Sequence, residues 1–251
     1  VSTVTLDTEE APYNEKEARD RASKNILWLG IISIVMMFGG LTSAYIVSKA
    51  DNFWVKINMP TAFWVSTAII LLSSVTINMA LSAAKKNNYS GVKLFTILTF
   101  ALGIGFGVSQ WMGWGQLVDN GSYFVGNIIN SDKEFVLEGE YGKDFTIFYK
   151  GQELAYDEGN FKLENGKTLS ASQSAKLLES RNTASSYLYL LTFLHVVHLL
   201  GGLLYLLGLL FGAFKRKFNE HNHLKIKLCS TYWHFLGGLW IYLFLFLLFI
   251  H

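Results

Sequence analysis

A chain of 251 residues that is 51% hydrophobic, 15% aromatic and 16% charged, with a net charge of +2, fits either a large soluble core or a bundle of membrane helices. Distribution decides between them, because the charges cluster in blocks and the bases lie between apolar runs rather than along one face, which excludes a nucleic-acid surface. The single cysteine, Cys229, excludes an internal disulfide.

In chain order, residues 1–24 form a polar leader whose segment "EEAPYNEKEARDRASKN" predicts a short surface helix after Pro12. It shows no pattern of a cleavable signal peptide. Five stretches then lack Asp, Glu, Lys and Arg: Asn25 to Ser48, Ile57 to Ala84, Leu94 to Val118, Asn182 to Phe214 and Leu228 to His251. Each reaches the roughly 20 apolar residues that cross about 30 Å of hydrocarbon. The fold class is therefore an all-α polytopic membrane bundle of five transmembrane helices, three within residues 25–118 and two within 184–251, separated by an insertion at 119–183. Pro60 suits the first turn of the second span, where a missing N–H costs nothing. Bases cluster before span one, between spans two and three, and between spans four and five. By the positive-inside rule the N-terminus lies in the cytoplasm, while the insertion and His251 lie outside.

The insertion has a different grammar. "SYFVGNII", "EFVLEG", "FTIFYKGQELAY" and "NFKLENGKTL" alternate apolar and polar residues, and Asn165-Gly166 is a hairpin signal. These segments predict a small β-meander, followed by a short helix near Ser170 to Ser180. A linker of this length needs structure of its own, so the insertion is expected to fold against the bundle or a partner. Small residues four apart, Gly103 with Gly107, Gly208 with Gly212, Gly39 with Ser43 and Gly40 with Ala44, are candidate helix contacts.

Within the spans the strongly ionisable side chains are His195, His198 and His234. Such groups are functional candidates in a membrane. His195 and His198 share a face of span four at a spacing of three, while His234 stands between Trp233 and Phe235 in "STYWHFLGGLWIYLFLF". At about 1.5 Å rise per residue, His198 and His234 differ in depth by roughly 12 Å, too far for one metal whose ligands sit near 2 Å. No facing pair at one depth is available for a b-type haem. No metal site and no bound cofactor are expected on this chain. The histidines read as packing, hydrogen-bonding or interfacial residues, and no catalytic residue is assigned.

Two stretches carry a resemblance. "TYWHFLGGLWIYLFLF" and "TFLHVVHLLGG" resemble the last two helices of subunit III of haem-copper cytochrome c oxidases, in the five-helix bacterial form. "GGLTSAYIV" and "LGIGFGVSQWMGWGQL" resemble earlier helices of that family, the second carrying Gln110. The family's carboxylates do not follow. Gly113 stands where a glutamate follows the glutamine by three, Ile34 near another glutamate, Lys227 at an acid before the Tyr-Trp-His run, and Gly237 at an aspartate after it.

The resemblance implies a V-shaped bundle with phospholipids in its cleft, in a bacterial inner membrane, beside subunits I and II. Haems and copper would reside in those partners, where oxygen is reduced with proton pumping. Subunit III itself would be a non-redox accessory that supports sustained turnover, proton uptake and oxygen access. Lys215, Arg216 and Lys217 become candidates for lipid phosphate, with Trp233 and His234 lining the cleft; snorkelling cations are the alternative. Glu220, His221 and His223 are candidates for proton collection, with an ordinary solvated loop as the alternative. Gln110, His195 and His198 are expected to be structural polar groups of the bundle. The insertion is a candidate dock for a cytochrome c domain or a quinol-oxidising complex. Two other function classes are left open, a small haem-binding membrane anchor of another respiratory complex and a transporter, which would need a polar midplane site that these spans lack.

Overall fold

The computed structural model describes residues 15–130, 134–157, 160–163, 166–220 and 222–251. Its helices are α1 (Glu15–Asp51), α2 (Thr61–Lys85), α3 (Tyr89–Asp119), α4 (Ala171–Glu179), α5 (Thr183–Phe214) and α6 (Leu224–Phe249). Five of these, all but α4, are long and apolar enough to cross a membrane. The protein is a multi-pass membrane protein. The expected separate leader helix does not exist among the described residues, since Glu15 to Lys24 are the first turns of α1. Its 37 residues extend about 55 Å at the α-helical rise, so the polar end projects beyond the apolar layer. Residues around Pro12 lie outside the described residues.

Four helices close a ring: α2 packs on α3, α3 on α5, α5 on α6 and α6 back on α2. Helix α1 leans on α5 and α6 from outside, and much of its surface is exposed. Large side chains fill the centre, with Trp233, Trp240, Phe63, Phe106, Ile70 and Ile77 fully buried. Of the small-residue pairs, Gly103 makes a close interhelical approach. A Cβ there would stand 2.7 Å from Leu203 and 2.8 Å from Trp233. Gly39, Gly40, Ser43 and Ala44 are exposed, and Gly107 and Gly208 face open space.

The insertion holds four short strands, β2 (Phe145–Tyr149), β3 (Gln152–Glu153), β4 (Ala155–Asp157) and β5 (Asn160–Lys162). The "SYFVGNII" and "EFVLEG" segments make isolated bridges instead of strands, Ile129 with Phe135 and Asn127 with Arg181. Asn165 of the hairpin signal lies outside the described residues; Gly166 has φ +76° and its N–H donates to the Leu163 carbonyl at 2.8 Å. Helix α4 starts on a capping box, Ser170 accepting from the Gln173 N–H while Gln173 accepts from the Ser170 N–H.

One strand comes from elsewhere. The loop after α1 forms β1 (Phe53–Ile57), which pairs antiparallel with β2, Val55 opposite Ile147. Successive side chains of a strand point to opposite faces, and over the first three residues of β1 both faces are buried. Phe53 and Val55 join Ile147, Ile128 and Leu154 in the insertion's core, whereas Trp54 joins the bundle core. The charge-free run begun at Ile57 therefore overestimates span two, because Ile57 ends this strand and α2 starts at Thr61.

Tyr141 ties the insertion together. Its hydroxyl donates to the Leu154 carbonyl at 2.6 Å and accepts from the Ile147 N–H at 3.2 Å. Burial is the main cause that pushes its pKa up to about 12 from an ordinary 10.0, with Glu153 adding to it and the Ile147 bond opposing it. The raised value means the neutral phenol is favoured by folding, so this contribution is complete below pH 10 and lost as pH rises towards 12. Two outcomes follow. Trp54→Ala should cost about 3–5 kcal/mol, seen as protease sensitivity of the insertion while the helical circular dichroism persists. Tyr141→Phe should remove the loss of insertion protection between about pH 10 and 12 measured by fast hydrogen exchange.

Candidate functional site

The sequence-selected residues do not converge. His195, fully buried on α5, faces the Leu236 carbonyl of α6 through Nε2 at 3.0 Å. Phe106 and Trp240 stand beside its ring, with centroids 5.6 and 5.3 Å away. His198, half-buried, donates from Nδ1 to the Leu194 carbonyl of its own helix at 2.7 Å and sits edge-on to Phe38 of α1. A spacing of three leaves the two histidines about 60° apart around α5, and their rings meet different neighbours. His234 bonds Asn78 of α2 at 3.0 Å through Nε2 and the Ser230 carbonyl through Nδ1. Among the described residues no three His, Cys, Asp or Glu side chains approach one point.

Trp233 requires a correction to its assignment to a lipid-lined cleft. Its side chain has 0% exposure, and its indole N–H donates to Ser73 Oγ at 2.9 Å. An indole packed over Gly103, between α2 and α5, presents nothing to lipid.

The basic cluster lies where α5 ends. Lys217 N–H donates to the Gly212 carbonyl and Arg216 N–H to the Ala213 carbonyl, both at 3.1 Å, the crossed pair of a Schellman cap. Arg216 holds the left-handed position at φ +52°, and Phe218 folds back over Gly212. Lys215, Arg216 and Lys217 are all exposed. Helix α2 ends in the same way, with Asn87 at φ +55° and Asn88 N–H on the Ala83 carbonyl at 2.9 Å. The Asn87 side chain accepts from the Glu220 N–H at 2.9 Å, which fastens the α5–α6 loop to the α2–α3 turn. His223 Nδ1 donates to the Glu220 carbonyl at 2.6 Å. Glu220 and His223 thus share one turn, while His221 lies outside the described residues.

The positions of the missing carboxylates are occupied by packing. A Cβ on Gly113 would stand 2.3 Å from the Phe63 ring, so α2 fills the volume an acid would use. Next to it Gln110, fully buried, donates to Ser66 Oγ at 2.8 Å, and Ser109 donates to the Ala62 carbonyl at 2.8 Å. Gly237 lies against α2 near Ser74 Oγ and Ile70, and Lys227 is exposed. The interior polar groups on the α2–α3 seam are neutral amides and hydroxyls, bonded to one another and to backbone carbonyls, except that the buried Gln110 Oε1 has no partner.

At the insertion end, sequence reading missed a second polar seam. Tyr45 Oη meets His251 Nδ1 at 2.7 Å, and Ser48 Oγ meets Tyr187 Oη at 3.0 Å. Both tyrosines flank Trp54, Tyr45 at 4.7 Å between centroids. The visible signal was Trp54 itself, an aromatic placed in a loop between two spans.

Comparison with known proteins follows the same division. No protein-family model matches the chain. It is 25% identical over 224 residues to a cytochrome c oxidase subunit 3 of Corynebacterium diphtheriae, covering 86% of this chain and 82% of that protein. It is 23% identical over 243 residues to a quinol oxidase subunit 3 of Bacillus subtilis, covering 93% and 90%. A cytochrome c oxidase subunit 3 of Thermostichus vulcanus shares 22% over 222 residues, covering 85% and 80%. The resemblance to oxidase subunit III holds along most of the chain. Likeness to a third subunit is consistent with a chain that is not itself catalytic.

The oxidase-like helices thus combine with an interior in which Phe63 and Gly113 exclude an acid. Gly113→Ala should destabilise the detergent-solubilised chain by about 1–3 kcal/mol through overpacking. Adding Phe63→Ala should make the double variant lose less than the sum of the two single losses, read by thermal unfolding. Arg216→Gly should raise stability by about 1 kcal/mol by relieving the left-handed residue, measured in the same assay.

Proposed function

We propose that this chain is the non-redox accessory subunit III of a proton-pumping haem-copper oxidase, seated beside catalytic subunit I and subunit II in a bacterial inner membrane. The observation that carries this reading is likeness over most of the chain to subunits III of cytochrome c and quinol oxidases. What the two names share is a third subunit of an oxidase, whatever donates the electrons. The internal engagement of the histidines favours it too, since His195 and His234 bond to groups of neighbouring helices in this same chain.

On this reading the N-terminus and the α2–α3 and α5–α6 turns face the cytoplasm, as the placement of their bases favours. Lys215, Arg216 and Lys217 would meet lipid phosphate there, at a backbone fixed by the α5 cap. Glu220 and His223, which share one turn of the α5–α6 loop, would feed protons towards the entry of the catalytic subunit. The insertion, on the opposite side, would receive the electron-donating partner, a cytochrome c domain or a quinol-oxidising complex.

Depletion of this chain from the purified oxidase by stronger detergent tests the reading. Haem content and initial oxygen consumption should be retained, while the number of turnovers before inactivation falls several-fold. Loss of haem in proportion to the chain removed would contradict an accessory role.

A further inference from the structure

Among the described residues of the insertion, exposed large apolar side chains stand singly at Tyr156 and Leu178, and three stand in a row at Tyr123 (47% exposed), Phe124 (53%) and Val125 (64%). Scattered apolar residues on a surface need no explanation, whereas a contiguous exposed set marks a contact. The loop that carries them is tied down. Ser186 Oγ donates to the Phe124 carbonyl at 2.6 Å, the Asn182 N–H to the Gly126 carbonyl at 2.8 Å and Tyr189 Oη to the Ser122 carbonyl at 2.9 Å. At its start the Ser122 N–H donates to the Leu117 carbonyl of α3 at 2.8 Å. These carbonyls turn inward onto α5 while the three side chains stay exposed. A loop needs that arrangement to leave water, because acyl chains offer a carbonyl no donor.

Depth decides what lies outside it. Helices α3 and α5 have 31 and 32 residues, about 47 Å at the helical rise against about 30 Å of hydrocarbon. With a centred layer each helix runs past the boundary by roughly 8 Å at either end. Tyr189 is six residues into α5 and Trp114 five residues before the end of α3, which puts both roughly 8–9 Å from those ends and so at the boundary itself. Phe124 lies edge-on to Tyr189, with ring centroids 6.2 Å apart. Trp114 contacts Phe193 of α5 and Trp111, which is 74% exposed. Rings gathered at that level on the outside of spanning helices are the belt with which membrane proteins meet the headgroup zone, and the loop adds Phe124 to it from the insertion. No charged residue occurs from Asn120 to Asn130, so no ion has to be dehydrated when the tip enters.

We propose that the tip formed by Tyr123, Phe124 and Val125 inserts at the headgroup boundary of the leaflet on the insertion side and seats the insertion on the lipid surface. This placement needs only that α3 and α5 cross a membrane, and is independent of the oxidase reading. Lipid is the occupant because the patch continues the membrane-facing surface of two spans at the depth of their aromatic belt, and offers no charge by which a partner protein would be selected.

The test places an environment-sensitive fluorophore on Val125→Cys and, as control, on Lys143→Cys, where the native side chain is 73% exposed. The native Cys229 is buried and stays unlabelled. The full chain, purified with its native partners, is reconstituted into phosphatidylcholine vesicles. A nitroxide on the acyl chain near the headgroup should quench the Val125 label several-fold more than the Lys143 label, and more than a nitroxide near the methyl end of the chain. Aqueous iodide should quench the Lys143 label several-fold more than the Val125 label. Adding Phe124→Ser, with helical circular dichroism retained, should lower nitroxide quenching at Val125 at least twofold. Equal iodide quenching at the two positions would put the tip in water, and shielding of Val125 from both quenchers would put a protein over it; either overturns the proposed anchor.

Discussion

Burial of Trp54 is the contact on which the arrangement of the two parts depends. A five-residue strand between two membrane helices places Phe53 and Val55 in one hydrophobic core and Trp54 in the other. An insertion some hundred residues downstream in sequence completes the strand's ladder. Edge-to-face aromatic packing adds about 0.5–1.5 kcal/mol per pair beyond burial, and Trp54 has Tyr45 and Tyr187 as neighbours. Tyr45 in turn contacts Phe246 and His251 beyond α6, at 5.0 Å from the Phe246 ring. Lys49 reaches the Ile250 carbonyl and lies over Phe148 of β2. The ends of α1, α5 and α6 therefore meet at β1, and the insertion is joined to the bundle rather than tethered by flexible linkers.

At the opposite end the joining element is a side-chain amide. Asn87 occupies the left-handed position that closes α2 and accepts the Glu220 N–H of another loop. Asparagine tolerates this conformation better than most residues, so the same residue ends a helix and anchors its neighbour. Arg216 does the first task at the end of α5 without being a residue that favours it. Between these ends the ring of four helices is held by steric fit, with Trp233 over Gly103 and Phe63 against Gly113.

The five helices were legible because a charge-free apolar run of roughly 20 residues matches the thickness of a bilayer and little else in a folded chain. The α4 cap was legible because Ser170 and Gln173 have capping-box spacing. The strand at Phe53 was not, since five residues next to a span share its apolar composition and their partner lies far away in sequence. Isolated bridges replaced two predicted strands because alternation alone does not supply a ladder partner. For the functional residues, helical spacing put His195 and His198 on one side, yet could not say that Leu236 and Phe38 would receive them. Trp233 read as interfacial from its aromatic neighbours, whereas the space opposite Gly103 draws it inside. Asn78 carries no sequence signal because two amides, Asn58 and Asn78, in a 28-residue charge-free run leave its hydropathy intact; its bond to His234 exists only in the folded chain.

On this account the chain is a scaffold whose histidines serve packing and hydrogen bonding while the redox chemistry belongs to partner subunits. The most direct measurement is a reduced-minus-oxidised spectrum of the tagged chain, first in mild detergent and again after its partners are stripped away. The account predicts oxidase haem bands in the first preparation and none in the second. Stoichiometric haem retained by the isolated chain, and lost on replacing His195 or His234, would contradict it.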